Sequence, residues 1–305
     1  MENKYFACVL ICENKIFFVI SDQTGEQLKK WETVSWRGRG CREVFLHIIG
    51  ELAGVCVSGR IEKVVLSLPC EVTKEGISRY CPSLGWGRVN LAKLWAENCS
   101  IPIEIVMRRN MLLLGKLREQ HLEIRQDGAH RGAIFLGESL ETSLLIDGKF
   151  IKDRQGSYSD LGRLPVRFES AKEKQTQIRL QEEISYVEME KKYRKLKKEY
   201  EHVLPPAGAA GDIGRIAKTA KEGNPLAGKV VDEAAEAVVR AIACFSSVIT
   251  LDCVLICGCS CEINELLKER IRFFAAKYGL ETTLYYTAPT LETEILGCIN
   301  FALFL

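Results

Sequence analysis

Apolar residues along the chain recur with two periods, one of two and one near 3.6, and the switches between them mark its elements. Tyr5 to Ile11 and Lys15 to Ser21 read as strands joined by a tight hairpin at Cys12-Glu13-Asn14. After a turn at Asp22-Gln23-Thr24-Gly25, Gln27 to Trp36 gives a third strand. Arg42 to Val57 has helical spacing at Val44, Phe45, Ile48, Ile49 and Leu52; Lys63 to Leu68 is a continuous apolar strand; Asn90 to Cys99 is a helix. The stretch Ile101 to Glu119 then alternates through Ile101, Ile103 and Ile105 and changes period at Asn110. Met111, Leu112, Leu114 and Leu117 are spaced as a helix, with Asn110 suited to cap it.

The second half repeats that order. Gly132 to Leu136 and Glu141 to Ile146 are strands, and Asp147-Gly148 is a hairpin turn leading to Phe150. Ala227 to Val248 is a long helix, Asp252 to Cys257 a buried strand, Glu262 to Tyr278 a helix, Thr282 to Tyr286 a strand and Leu291 to Leu305 the last helix. The repeat predicts two related α/β domains facing each other across a cleft. The first is expected over 1–107, with the closing helix 290–305 packing back on it, and the second over 108–289. Within the second lies a charged insertion, 170–203, whose thin stripe of Ile178, Gln181, Ile184, Val187, Tyr193, Leu196 and Tyr200 predicts a long, partly solvated helix or a homodimer contact. Pro205-Pro206-Ala207-Gly208 closes it as a linker.

Composition narrows the setting. The 305 residues suffice for two cores, and a formal net charge of +2 gives no reason to expect nucleic-acid or membrane partners. No run approaches the ~18 apolar residues of a membrane span, and Met1-Glu2-Asn3-Lys4 opens no signal peptide. Thirteen cysteines in no secreted-scaffold spacing point to a reducing cytoplasm. Cys257, Cys259 and Cys261 have neither CxxC spacing nor a nearby His, and read as core packing rather than metal ligands.

Strand-to-helix corners in α/β proteins commonly carry functional side chains. Here the corner carries Met107-Arg108-Arg109, a poor set for chemistry. The whole chain resembles the ROK family of sugar kinases, repressors and open reading frames, which has the actin/hexokinase-like, ribonuclease H-like fold. The resemblance rests on YFACVLICENKIFFVISDQTGEQL, GWGRVNLAKLWAENCSIPIEIV and SLLIDGKFIKDRQGSYSDLGRLPV. Further on it rests on AGDIGRIAKTAKEGNPLAGKVVDEAAEAVVRAI, VLICGCSCEINELL and LETEILGCINFAL.

Four motifs depart from that family. Its first loop, Asp-x-Gly-Gly-Thr, lets backbone N–H groups approach phosphate while the Asp positions metal; here Leu10, Ile11, Cys12, Glu13 and Asn14 stand in its place. An anionic Glu13 at 4 Å from a phosphate charge would cost roughly 4 kcal/mol at an effective dielectric of about 20. Its second loop, Gly-x-Gly-x-Gly, reads Gly137-Glu138-Ser139-Leu140-Glu141, with one glycine kept. The Asp of its Glu-Asn-Asp-x-Asn, the base for the sugar hydroxyl, falls on Arg108, which stays protonated; Asn110 is the matching residue. Its Gly-Glu-x-Gly-His becomes Ser159-Asp160-Leu161-Gly162-Arg163, and no Cys between Cys99 and Cys244 supplies the zinc motif. The charged insertion is expected to brace that region instead of zinc.

The resemblance with these departures implies a kinase-like protein without phosphotransfer that binds, regulates or supports structure. It has no catalytic residue, no zinc, and no ATP or Mg. Ligand candidates for a sugar or sugar phosphate are Asn110, Asp160, Arg108, Arg163, Gly137 and Gly258, the last keeping one glycine of the adenosine-side turn. The arginines, with Arg109, read either as ion-paired or as an anion site. The alternative is an ATP-dependent, glucokinase-like sugar kinase with a rebuilt site in which Asp160 serves as a displaced base. A repressor is not expected, because its helix-turn-helix segment would precede the first strand, which begins by Tyr5.

Overall fold

A computed structural model of the chain describes residues 3–12, 14–33, 38–55, 59–78, 81, 83–122, 128–152, 160–171, 174–200, 213–258 and 262–304. Among them no helix is long and apolar enough to cross a membrane. The fold is mixed α/β, and the chain divides into two compact units, one of Met1–Asp127, Asp147–Ser159 and Pro289–Leu305, the other of Gly128–Ile146 and Asp160–Ala288. The first unit extends past 107 to take in the helix that follows the Met107 corner.

In the first unit the strands are β1 (Asn3–Ile11), β2 (Ile16–Ser21), β3 (Gln27–Thr33), β4 (Gly59–Leu68), the short pair β5 (Ile77–Ser78) and β6 (Val89–Asn90), and β7 (Ile103–Met107). The main sheet runs β3-β2-β1-β4-β7, antiparallel through the first three strands and parallel from β1 to β7. Helices α1 (Cys41–Ala53) and α2 (Leu91–Ala96) supply Phe45, Ile48 and Trp95 to a core with Phe18, Leu66 and Trp86. Asn90 caps α2, its side chain accepting from the Lys93 N–H at 2.9 Å.

Helix α3 (Arg108–Glu119) leaves β7 directly and packs against the closing helix. Every residue of α3 from Arg109 to Leu117 is buried, which explains why its apolar stripe is wide. Asn110 therefore lies in the first helical turn rather than capping it; the cap position is Met107, whose side chain makes no capping bond.

The second unit repeats this layout with β8 (His130–Leu136), β9 (Glu141–Ile146), β11 (Pro165–Ala171), β12 (Lys174–Arg179), β13 (Cys253–Gly258) and β14 (Thr283–Thr287), while the short β10 (Lys149–Phe150) falls in the 147–159 segment counted with the first. In this unit β9, β8, β13 and β14 are neighbours in that order, antiparallel between β9 and β8 and parallel from β8 to β14, as β2, β1, β4 and β7 are in the first. Asp147 and Gly148 both adopt positive φ, as the hairpin turn before β10 requires. Helices α4 (Leu180–Ile184), α5 (Tyr186–Glu199), α6 (Ile213–Lys221), α7 (Pro225–Ser246) and α8 (Glu262–Lys277) belong to this unit, and α9 (Leu291–Phe304) returns to the first. Asn224 caps α7 ahead of a proline at its first turn, accepting from Leu226 and Ala227.

The insertion is not the single long helix that its charge pattern predicts. β11 and β12 form an antiparallel hairpin, and the helical part breaks at Ser185, whose extended backbone separates α4 from α5. The expected linker at 205–208 and the expected core cysteines Cys259 and Cys261 lie outside the described residues, while Cys257 is fully buried in β13.

Candidate functional site

In the first unit the β7–α3 corner brings Met107, Arg108, Arg109 and Asn110 together, with Met107, Arg109 and Asn110 buried. Arg108 extends to α9, where its Nε lies 3.0 Å from Oε2 of Glu294. Glu294 is wholly buried, and its other oxygen accepts a 2.6 Å hydrogen bond from the hydroxyl of Ser67 on β4. A buried carboxylate needs both a counter-charge and donors, and this one receives each from a different element. Arg109 differs from its neighbour. It is 6% exposed, and among the described residues its Nε and Nη2 have no hydrogen-bond partner.

At the other end of α3, Glu119 accepts from Lys116 Nζ at 2.6 Å and from the Thr293 hydroxyl at 2.6 Å. Burial alone would raise its pKa, but the bonds from Lys116 and Thr293 outweigh that and hold it below the ordinary glutamate range. Between the two ends, α3 and α9 touch backbone to backbone. A Cβ on Gly115 would sit 1.8 Å from the Thr293 carbonyl oxygen, and one on Gly297 would sit 1.8 Å from that of Met111.

The segment that the resemblance aligns with the first phosphate loop is a tight turn. Leu10 and Ile11 are fully buried in β1, and the Cys12 N–H donates to the Lys15 carbonyl at 3.0 Å; Glu13 lies outside the described residues.

In the second unit Gly137 opens the β8–β9 turn, with Glu138 and Ser139 exposed and Leu140 buried. Its carbonyl accepts from the Tyr186 N–H at 2.9 Å, so the start of α5 is fastened to the turn. The Tyr186 hydroxyl donates to Oδ1 of Asn264, and the Asn264 amide fills the space beside Gly258, where an added Cβ would come within 2.3 Å of it. Tyr186 thus connects the two glycine positions, Gly137 and Gly258, through Asn264.

Asp160 caps the 3₁₀ turn Leu161–Arg163. Its Oδ1 accepts from the Gly162 N–H at 2.9 Å and from the Thr142 hydroxyl at 2.8 Å, while Thr142 accepts from the Leu161 N–H. Arg163 Nε approaches the other oxygen at 3.8 Å. Nearby, the side chain of Glu183 on α4 is 4% exposed and joins Arg167 Nη2 at 2.7 Å to Lys192 Nζ at 2.8 Å; Lys192 also meets Glu233 on α7. This ion cluster ties β11, α4, α5 and α7 together. Among the described residues no group of three or more His, Cys, Asp or Glu side chains is placed to hold a metal ion.

Sequence reasoning did not single out Glu294, Ser67, Glu119, Tyr186, Asn264 or Glu183. Glu294 had a visible signal, an acid just before Ile295 on a helix otherwise apolar nearly all round. The others gain their roles only from tertiary contacts.

No protein-family profile matches the chain, and no curated protein matches it either. Solved structures do. A ROK hexokinase from Thermus thermophilus superposes with a TM-score of 0.73 at 18% identity, over 97% of this chain and 96% of that one. A ROK family transcriptional regulator homologous to the E. coli MLC protein gives 0.70 at 16% identity, over 98% of this chain and 78% of that one. A ROK family protein from Streptococcus pneumoniae, solved in complex with sucrose, gives 0.69 at 14% identity over 97% and 96%. The chain therefore has the fold of the ROK proteins, the actin/hexokinase-like α/β architecture.

Proposed function

We propose that the chain is a degenerate ROK-family protein, sugar-kinase-like and cytoplasmic, that transfers no phosphate and acts as a binding or regulatory protein. One observation carries this reading: the residue aligned with the family's catalytic base is Arg108, and its guanidinium is paired with buried Glu294. A cation fixed on a buried acid cannot accept the proton of a sugar hydroxyl, and loss of a general base alone costs roughly 10²–10⁴ in rate. Two features support it. Leu10 replaces the metal-positioning Asp and is buried, and Tyr186 occupies the route between the two glycine positions assigned by resemblance to the nucleotide.

The alternative, a kinase with a rebuilt site, would need Asp160 as its base. That carboxylate is already engaged as a helix cap with Thr142 and Gly162. The ligand class favoured here is a sugar phosphate, because Arg108 stands partly exposed at the corner that the resemblance assigns to the sugar, and a guanidinium pairs with anionic groups.

Incubation with ATP, Mg²⁺ and a panel of hexoses is expected to give ADP at background; turnover near about 1 s⁻¹, the low end for enzymes, would overturn the non-catalytic reading. A thermal-shift panel then tests the ligand. Stabilisation is expected from sugar phosphates and not from ATP, and it should vanish in Arg108→Ala. A shift with ATP alone would reverse that assignment.

A further inference from the structure

A cavity of about 480 Å³ in the first unit plays no part in the proposed function. Its size is that of a small-molecule site. It lies against β7, the last strand of its sheet, and its lining on that strand runs from Ile103 to Val106. Arg108 is not part of the lining. The apolar part of the wall is Ile103, Ile105 and Val106 with Phe150 of β10 and Phe301 of α9. The cationic part is Lys74, from the loop after β4, with Lys149 and Lys152, which follow the Asp147-Gly148 turn; all three lysines are exposed.

The loop that presents Lys74 is fixed in place. The Gly76 N–H donates to the Thr73 carbonyl at 3.0 Å, and the Gly76 carbonyl accepts from the Leu91 N–H at 2.9 Å. Gly76 has a φ of +73°, and a Cβ there would come within 2.5 Å of the Ala92 Cβ, so the loop lies flush against the start of α2. Two acids, Glu75 and Glu104, also line the cavity. Glu104 is exposed and leaves β7 on the face opposite Ile103 and Ile105. Among the described residues neither Lys74 nor Lys149 makes an ion pair, so these acids leave both ammonium groups without a counter-ion in contact.

We propose that this cavity is a second ligand site, for a small carboxylate with an apolar body such as an aryl or branched alkyl acid. Its hydrocarbon part lies on Ile105, Phe150 and Phe301, and its carboxylate meets Lys74 and Lys149. Each half of the lining selects one half of the ligand. A sugar would press its hydroxyls against isoleucine and phenylalanine, where they find few partners, whereas a hydrocarbon body gains from leaving water there. Lysine acts as a point charge and needs no bidentate geometry, which suits a carboxylate held at an exposed rim. The site is separate from the Arg108 corner and does not depend on what binds there.

Titration calorimetry of the full chain with 4-phenylbutyrate tests this, with 4-phenylbutanol and acetate as probes of the two halves. One equivalent of 4-phenylbutyrate is expected to bind, at least about tenfold more tightly than either probe, and more weakly as salt is raised. Lys74→Gln combined with Lys149→Gln should weaken binding about tenfold while leaving the ligand-free melting temperature unchanged, because both side chains are exposed and make no ion pair. Arg108→Ala, measured well below its melting temperature, should bind as the parent protein does. Equal affinity in the parent and the double lysine variant would overturn the assignment, and so would loss of binding in Arg108→Ala. A titration that does not saturate by about 10 mM would overturn it as well.

Discussion

Arg108 Nε and Glu294 Oε2 lie 3.0 Å apart across 186 residues of sequence, so the cation at the strand–helix corner is the counter-ion of a buried acid on the last helix. Arg108→Ala would leave Glu294 with only Ser67 among the partners described above. Because Arg108 is itself partly solvated, the loss is set at about 1–2 kcal/mol, below the figure for a fully buried pair. Adding Glu294→Gln should recover most of it, and Arg108→Asp should be worse than alanine. Urea unfolding of the three variants beside the parent protein checks the order, and an Arg108→Ala protein as stable as the parent would count against the pairing.

Two glycine substitutions should have opposite signs. Gly115→Ala drives a methyl into the Thr293 carbonyl and is expected to cost about 3 kcal/mol or more, or to prevent folding. Gly50→Ala, on an exposed turn of α1 with nothing within 4 Å of the new Cβ, should stabilise by about 0.5–1 kcal/mol. Thermal melts of the pair are sufficient to test this.

Acid should weaken the α3–α9 joint. The folded pKa of Glu119 is depressed, so its contribution is present above the ordinary glutamate value of about 4.3 and is lost as pH falls through the lower folded value. Glu119→Gln is expected to flatten the stability profile in that acidic window and leave the neutral-to-alkaline shape unchanged. An identical acid limb in both proteins would count against the assignment.

The Glu183 cluster predicts an order of effects. Glu183→Gln removes the charge shared by Arg167 and Lys192 and should cost about 2–3 kcal/mol, whereas Lys192→Met leaves Glu183 its Arg167 contact and should cost less. Treatment with EDTA is expected to leave the melting temperature unchanged, as suits a region braced by ion pairs. A fall in melting temperature that zinc restored would refute this.

The sequence was most readable where burial follows a simple period. The alternation of β7, the continuous apolar runs of β4 and β13, and the Asp147-Gly148 turn each carry their own local cause, and the repeated order of strands follows from them. The β11–β12 hairpin was missed because Gln175, Thr176 and Gln177 are polar on both faces, so period two leaves almost no hydrophobic trace. Asn110 looked like a cap because it sits where the pattern changes, yet the helix had already begun at Arg108, inside a stretch buried on every side. Glu294 has the look of an acid favouring the start of a helix. Its partner lies far away in sequence, and no local rule pairs the two.

The close passage of α3 and α9 also bears on the order in which the molecule can be made. Residues 128–146 and 160–288 emerge during synthesis as a nearly self-contained unit, whereas the first unit waits for 289–305. Until then the groove that receives Gly297 is bare, and Arg108 has not met its acid. The N-terminal part of the chain is thus synthesised first and completed last, an inversion of the usual N-to-C order of domain folding. Its nascent form exposes the apolar flank of α3 for as long as the remaining residues take to appear.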